Sequence, residues 1–138
     1  MAADDVLWKY PEGDAFRMAP QVLAYVGDAV FELFVRSTLA ARGEKVNRLH
    51  NSAVAMVSAK AMAGFYIKLE PILTDTEREV LRRGRNVKTR PIKSAGVGEY
   101  HMSTGFEALV GYLFLSRQER RLSQLLQYVL DEENEPKR

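Results

Sequence analysis

The stretch Gln21–Ala41, QVLAYVGDAVFELFVRSTLAA, carries apolar residues at Val22, Val26, Ala29, Val30 and Leu33, with Leu23, Phe34 and Val35 widening the stripe. Recurrence at i, i+4, i+7, i+8 and i+11 is the period of a helix face, and the spacing predicts a helix apolar nearly all round and therefore central. Arg42 and Gly43 supply a basic last turn and a C′ glycine, the expected stop. Working outward, almost no segment alternates with period two.

Asn47 is placed to cap a second helix through Leu49, Ala53 and Val57, and Ser58 a third with Ala61, Met62, Phe65, Tyr66 and Leu69, which Pro71 ends. Thr74 and Glu77 have capping-box spacing for a fourth helix with Val80 and Leu81 inside, expected to end at Gly84. Arg85 to Glu99 lacks periodicity and holds Pro91, Gly96 and Gly98, so it reads as a loop. A fifth helix is expected over about Ser103 to Leu115, and Ser116 with Glu119 as a capping box for a sixth containing Leu122, Leu125, Leu126 and Val129. The fold class is all-α: a single irregular helical bundle with no repeat of solenoid length. One domain is expected over residues 1–138, with its core at about 21–129 and frayed termini.

Hydrophobic residues at 46% and charged ones at 28% are ordinary for a globular chain that can bury a core. With no cysteine, disulfides, thiolate metal sites and a cysteine nucleophile are excluded, so any metal here is hard and oxygen-bound. The acidic N-terminus, with Asp4, Asp5, Glu12 and Asp14, fits neither a secretory signal nor a transit peptide, and no apolar run spans a bilayer. A cytoplasmic protein with no membrane role is expected. Net charge is +2, yet Arg82, Arg83, Arg85, Lys88, Arg90 and Lys93 place +6 in one short segment without an acid.

Two carboxylates stand out. Asp28 lies in the middle of the most apolar helix, and Glu107 sits between Phe106 and Leu109 in the second most apolar one, a turn after Thr104. Burying an unpaired carboxylate is costly, so each calls for a partner or a metal. Helix bundles build carboxylate metal sites from facing helices, and Mg²⁺ suits a site of few oxygen ligands because it keeps several waters. Two separate ion pairs, Asp28 with Arg36 and Glu107 with Lys60, remain the bland alternative. Glu32 shares the Asp28 face and pairs naturally with Arg36 at i+4. His50 and His101, with no nucleophile motif nearby, read as surface or packing residues.

Local strings add to this reading. Ala24-Tyr25-Val26-Gly27-Asp28-Ala29-Val30-Phe31-Glu32 resembles the signature helix of the ribonuclease III family, and Phe106-Glu107-Ala108-Leu109-Val110-Gly111 resembles its second signature. Arg83-Gly84-Arg85-Asn86-Val87-Lys88 and Val57-Ser58-Ala59-Lys60 look like the short Mini-ribonuclease III branch, which lacks a separate double-stranded-RNA-binding domain. The resemblance runs in order from about Gln21 to Val129.

It implies a ribonuclease III catalytic-domain fold and an endoribonuclease in which Asp28 and Glu107 bind Mg²⁺, with Mn²⁺ as a substitute, and carry catalysis. It also implies a homodimer that cuts both strands of a duplex and leaves 5′-phosphate and 3′-hydroxyl ends. The implied substrate is a stem of precursor 23S ribosomal RNA, with a ribosomal protein as a conceivable presenter. Where the full-length enzymes carry two further acids, this chain has Ala24 and Thr104, which weakens metal binding and leaves one or two ions open. Thr104 and Glu32 are candidates for the surroundings of the site. For RNA, Arg82, Arg83, Arg85, Asn86, Lys88, Arg90 and Lys93 are the expected contacts, with Lys60 beside them, since A-form duplex is held mainly through phosphates and 2′-hydroxyls. The competing readings are a non-catalytic double-stranded-RNA-binding helical dimer and a helical protein-interaction module.

Overall fold

The computed structural model describes residues 14–88 and 96–133. Among these residues every regular element is helical. The helices are α1 (Pro20–Ala41), α2 (Val46–Met56), α3 (Ala59–Leu69), α4 (Asp75–Arg85), α5 (Val97–Leu115) and α6 (Glu119–Glu133), with 3₁₀ turns at Ala15–Arg17 and Glu70–Ile72. None of these helices is long and apolar enough to cross a membrane.

Helix α5 is the hub. It packs against α1, α3 and α4 and is apolar around most of its circumference, burying Phe106, Ala108, Leu109, Val110 and Leu113 among others. Phe31 of α1, Phe65 of α3 and Phe106 of α5 meet with ring centroids 4.9–5.8 Å apart, edge-to-face or tilted. Such pairs contribute about 0.5–1.5 kcal/mol beyond their buried area.

Helix α1 is central in a different sense from the one its stripe predicts. The residues it buries are Leu23, Ala24, Gly27, Phe31, Val35 and Leu39. The predicted stripe lies elsewhere: Val22, Ala29 and Leu33 are exposed, and Val26 and Val30 are half-buried. A helix apolar on two faces offers two stripes, and only packing against α5 selects one.

Several end signals hold. Gly43 has φ +74° and closes α1, Ser58 Oγ accepts from Ala61 N at 3.1 Å, and the Thr74–Glu77 capping box is formed in both directions. Others move. The N-cap of α2 is Lys45, while Asn47 Oδ1 accepts from the adjacent Arg48 N. Gly84 lies inside α4 because it is a packing residue: a Cβ there would come within 2.8 Å of Gly105 Cα and Ala108 Cβ.

Helix α5 begins at Val97, six residues ahead of the expected Ser103, so Gly98 is helical although it weakens the period there. Ser116 does not start α6. It is the C-cap of α5 and donates its hydroxyl to Tyr112 O at 2.6 Å. Arg117, at φ +62°, then turns the chain, with Gln118 N donating to Leu113 O and Arg117 N to Phe114 O, the two bonds of a Schellman turn.

Helix α6 is tied back by Arg121, whose Nε and Nη2 donate to the two Glu77 oxygens at 2.8 and 2.9 Å.

Candidate active site

Asp28 and Glu107 come together because two glycines let α1 and α5 touch through their backbones. A Cβ at Gly27 would collide with the Glu107 carbonyl and approach Gly111 N to 2.8 Å. A Cβ at Gly111 would collide with the Leu23 carbonyl and approach Gly27 N to 3.1 Å. Helices separated by side chains lie about 8–10 Å apart, so this reciprocal glycine contact is closer than ordinary packing allows. Asp28 follows Gly27 on one helix, and Glu107 stands a turn before Gly111 on the other.

The two carboxyl groups are within hydrogen-bonding reach. Asp28 is exposed, contrary to the expectation that both acids face inward, and Glu107 is half-buried beneath it. Burial first, and then the neighbouring Asp28 charge, push the Glu107 carboxyl up to about 8. A carboxyl held that far from its ordinary range by burial and a neighbouring acid, with no cation paired to it among the described residues, is a group suited to a proton or an added positive ion.

The alternative pairing fails. Arg36 binds Glu32 at 2.6 Å, as their i+4 spacing predicts, and among the described residues no ion pair joins Arg36 to Asp28 or Lys60 to Glu107.

The donor set fits a hard cation with few protein ligands. Among the described residues no group of three or more acids and histidines is close enough to enclose one, so a metal held here would rely on two carboxylates and retain water. Ala24 is buried and has no donor, and the Thr104 hydroxyl donates to Tyr100 O at 3.1 Å. The surface beside Asp28 opens into an apolar cleft of about 450 Å³ lined by Tyr25, Ala29, Leu33 and Phe114, with Glu32 at its edge.

The cations divide by what already engages them. Arg83 donates to Phe16 O at 2.6 Å and Met18 O at 3.2 Å and lies over the Phe16 ring, so it fastens the N-terminal turn to α4. Arg85 donates to Asn86 Oδ1 and stacks over Tyr66, and Arg82 binds Glu70. Lys88 and Lys60 are exposed. Arg90 and Lys93 lie outside the described residues.

A model of the Ribonuclease III domain matches residues 21–118, a span that contains both acids and both glycines. The chain belongs to the ribonuclease III family. It is thereby an endoribonuclease, and its relatives agree in length as well as in sequence. The chain is 51% identical over 116 residues to a Mini-ribonuclease 3 of Symbiobacterium thermophilum, covering 83% of this chain and 89% of that one. It is 36% identical over 126 residues to a Mini-ribonuclease 3 of Clostridium tetani, covering 89% of this chain and 83% of the other. A crystal structure of a Fusobacterium nucleatum protein superposes with a TM-score of 0.79 at 29% identity, covering 88% of this chain and 99% of that one.

For this ribonuclease III-family chain, sequence reading named the two acids but missed the glycines that join them. Gly27 and Gly111 stand within the quoted strings, and a small residue on each of two apolar helices was the available signal. Glu70, the partner of Arg82, carried no signal at all, because the two are twelve residues apart on different elements.

Proposed function

We propose that this endoribonuclease hydrolyses phosphodiester bonds in double-stranded RNA in the cytoplasm, with Asp28 and Glu107 as the catalytic carboxylates and the ligands of Mg²⁺, for which Mn²⁺ can substitute. The observation that carries this reading is the contact between the two acids, with Glu107 pushed up to about 8. When bound, the cation supplies an activated water and neutralises charge on the phosphoryl oxygens.

Glu107, half-buried on the hub helix, would hold the cation from the protein side. Asp28, exposed on α1 beside Glu107, would be the second ligand of that cation. With Ala24 and Thr104 adding no charge, the pair holds its metal weakly. The products carry 5′-phosphate and 3′-hydroxyl ends, and a stem of precursor 23S ribosomal RNA is the substrate. A ribosomal protein that presents this stem remains part of the proposal.

A homodimer completes the functional unit. Val22, Tyr25 and Leu33 are 50%, 82% and 60% exposed on the α1 face next to Asp28, an apolar surface that a second copy would cover. For RNA, Arg82, Arg85, Asn86, Lys88 and Lys60, together with Arg90 and Lys93 outside the described residues, are the proposed holders of phosphates and 2′-hydroxyls, while Arg83 fastens the N-terminal turn to α4.

Because no third ligand joins the pair among the described residues, a dimer that binds duplex without cutting it is the second reading. Incubating labelled duplex with Mg²⁺ separates the two. Wild type is expected to cut, and Asp28→Asn and Glu107→Gln to lose about 10²-fold or more in rate, the scale of removing one electrostatic group from an active site. Equal binding with no cutting by any of the three proteins would favour the second reading.

A further inference from the structure

Glu70 caps the end of α3 and sets its Oε2 3.1 Å from Arg82 Nε on α4. Both side chains remain in water, 31% and 52% exposed. An ion pair so exposed contributes roughly 0–1 kcal/mol to stability, too little to explain it as a staple. The turn that holds Glu70 is secured another way. Arg78 donates Nε and Nη2 to the Glu70 carbonyl at 3.2 and 3.1 Å, and Nη2 also to Leu73 O at 3.0 Å. The carboxylate is therefore aimed at a cation that the fold does not need.

Its surroundings are those of an anion pocket. Arg78, Arg82, Arg83 and Asn86 line a polar hollow of about 430 Å³ on α4, with Asp75 and Glu79 at its edge. Arg83 donates to backbone carbonyls and Arg78 to the carbonyls of Glu70 and Leu73 as well as to Asp75 of its own helix at 3.3 Å, so Arg82 is the guanidinium there that is held by one carboxylate from outside α4. The buried Tyr66 hydroxyl, on a residue 3% exposed, is close enough to feel the charges of Arg85, Glu70 and Arg82.

Resting on the reading of this patch as the RNA-binding edge, we propose that Glu70 is a built-in competitor for the RNA phosphate at Arg82, a specificity-determining residue that must be displaced before the contact forms. A carboxylate oxygen and a phosphate oxygen accept the same guanidinium N–H, so occupancy is exclusive. A ligand that offers one phosphate merely exchanges one anion for another. A duplex that brings several phosphates to the edge at once gains enough from the rest to make that exchange. The paired patch also presents one positive charge fewer to the RNA, so fewer counterions leave the phosphates on binding.

The test titrates labelled duplex, and the matching single strand, in Mg²⁺-free buffer across a salt series. It uses Glu70→Gln, Arg82→Gln and the double variant, each first checked for native helicity by circular dichroism. Glu79→Gln, an exposed acid of the same hollow, controls for general removal of negative charge.

Glu70→Gln is expected to tighten duplex binding about three- to tenfold and to steepen the log–log salt slope by just under one unit. It is expected to narrow the preference for duplex over single strand, and to do nothing further once Arg82 is Gln. A gain no larger than that of Glu79→Gln, or one that persists in the Arg82→Gln background, overturns the proposal while the RNA-binding edge stands. Unchanged affinity and slope in Arg82→Gln alone would show that the edge itself was misread, and the proposal would fall with it.

Discussion

Two glutamates of this bundle, Glu77 and Glu107, are both drawn at least partly out of water and titrate in opposite directions. Burial opposes ionisation of Glu77, but the Arg121 hydrogen bonds and the Thr74 cap overcome it and hold its carboxyl below the usual range. Burial also opposes ionisation of Glu107, and there the nearest charge is Asp28, which pushes the same way. The first acid is satisfied and joins α4 to α6, whereas the second is left in conflict with another acid at the closest approach of α1 and α5. Within one small core, the unsatisfied carboxylate is the one proposed for catalysis, and the satisfied one fastens the fold.

The comparison breaks most severely at Gly27. Gly27→Ala puts a Cβ into the Glu107 backbone, which cannot rotate away, so α1 and α5 must separate. A loss of about 3 kcal/mol or more is expected, at or beyond the upper end for overpacking. Urea denaturation would register it, and any folded remainder should cut RNA poorly because its acids have moved apart. Wild-type stability in Gly27→Ala would mean that the helices are not in backbone contact.

Next in size is Glu77→Gln. Glu77 is 4% exposed and its partner is partly open to water, so losing the pair is expected to cost about 2–3 kcal/mol, below the range for fully buried pairs. The midpoint of urea unfolding should fall while cleavage by the folded enzyme is unchanged. A matching fall in cleavage would erase the distinction between the two glutamates.

The smallest expected effect is one of pH. With Glu107 raised from 4.5 to about 8, the folded chain holds a proton that the unfolded chain releases, so stability from this group is present below pH 4.5 and lost as pH rises through 8. In chelator, where no cation relieves the pair, wild type should lose about 1–3 kcal/mol across that window relative to Glu107→Gln. Glu77 has the opposite sign, with its contribution present at neutral pH and lost in acid. A flat difference between wild type and Glu107→Gln from pH 5 to 8 would show that Asp28 and Glu107 do not interact.

Much of this was legible in the chain. Ser58, the Thr74–Glu77 box, Gly43 and the apolar residues of α3, α4 and α6 declared their helices, because caps and faces act over three or four residues. Ser116 and Gly84 misled for a shared reason. A small or hydroxylated residue can end a helix, begin one or serve its packing, and the local string is the same in each case.

By itself, the sequence determined that the chain is helical, that Asp28 and Glu107 sit on apolar helices, and that positive charge is concentrated near the end of α4. These are properties of spacing and composition, and they hold however the helices are arranged. Tertiary structure alone decided which face of α1 is buried, that Gly27 and Gly111 bring the two acids together, that Arg83 serves the fold, and that Glu70 stands against Arg82. Each of those is a contact between residues distant along the chain, where geometry in three dimensions fixes the energy and local pattern carries no record of it.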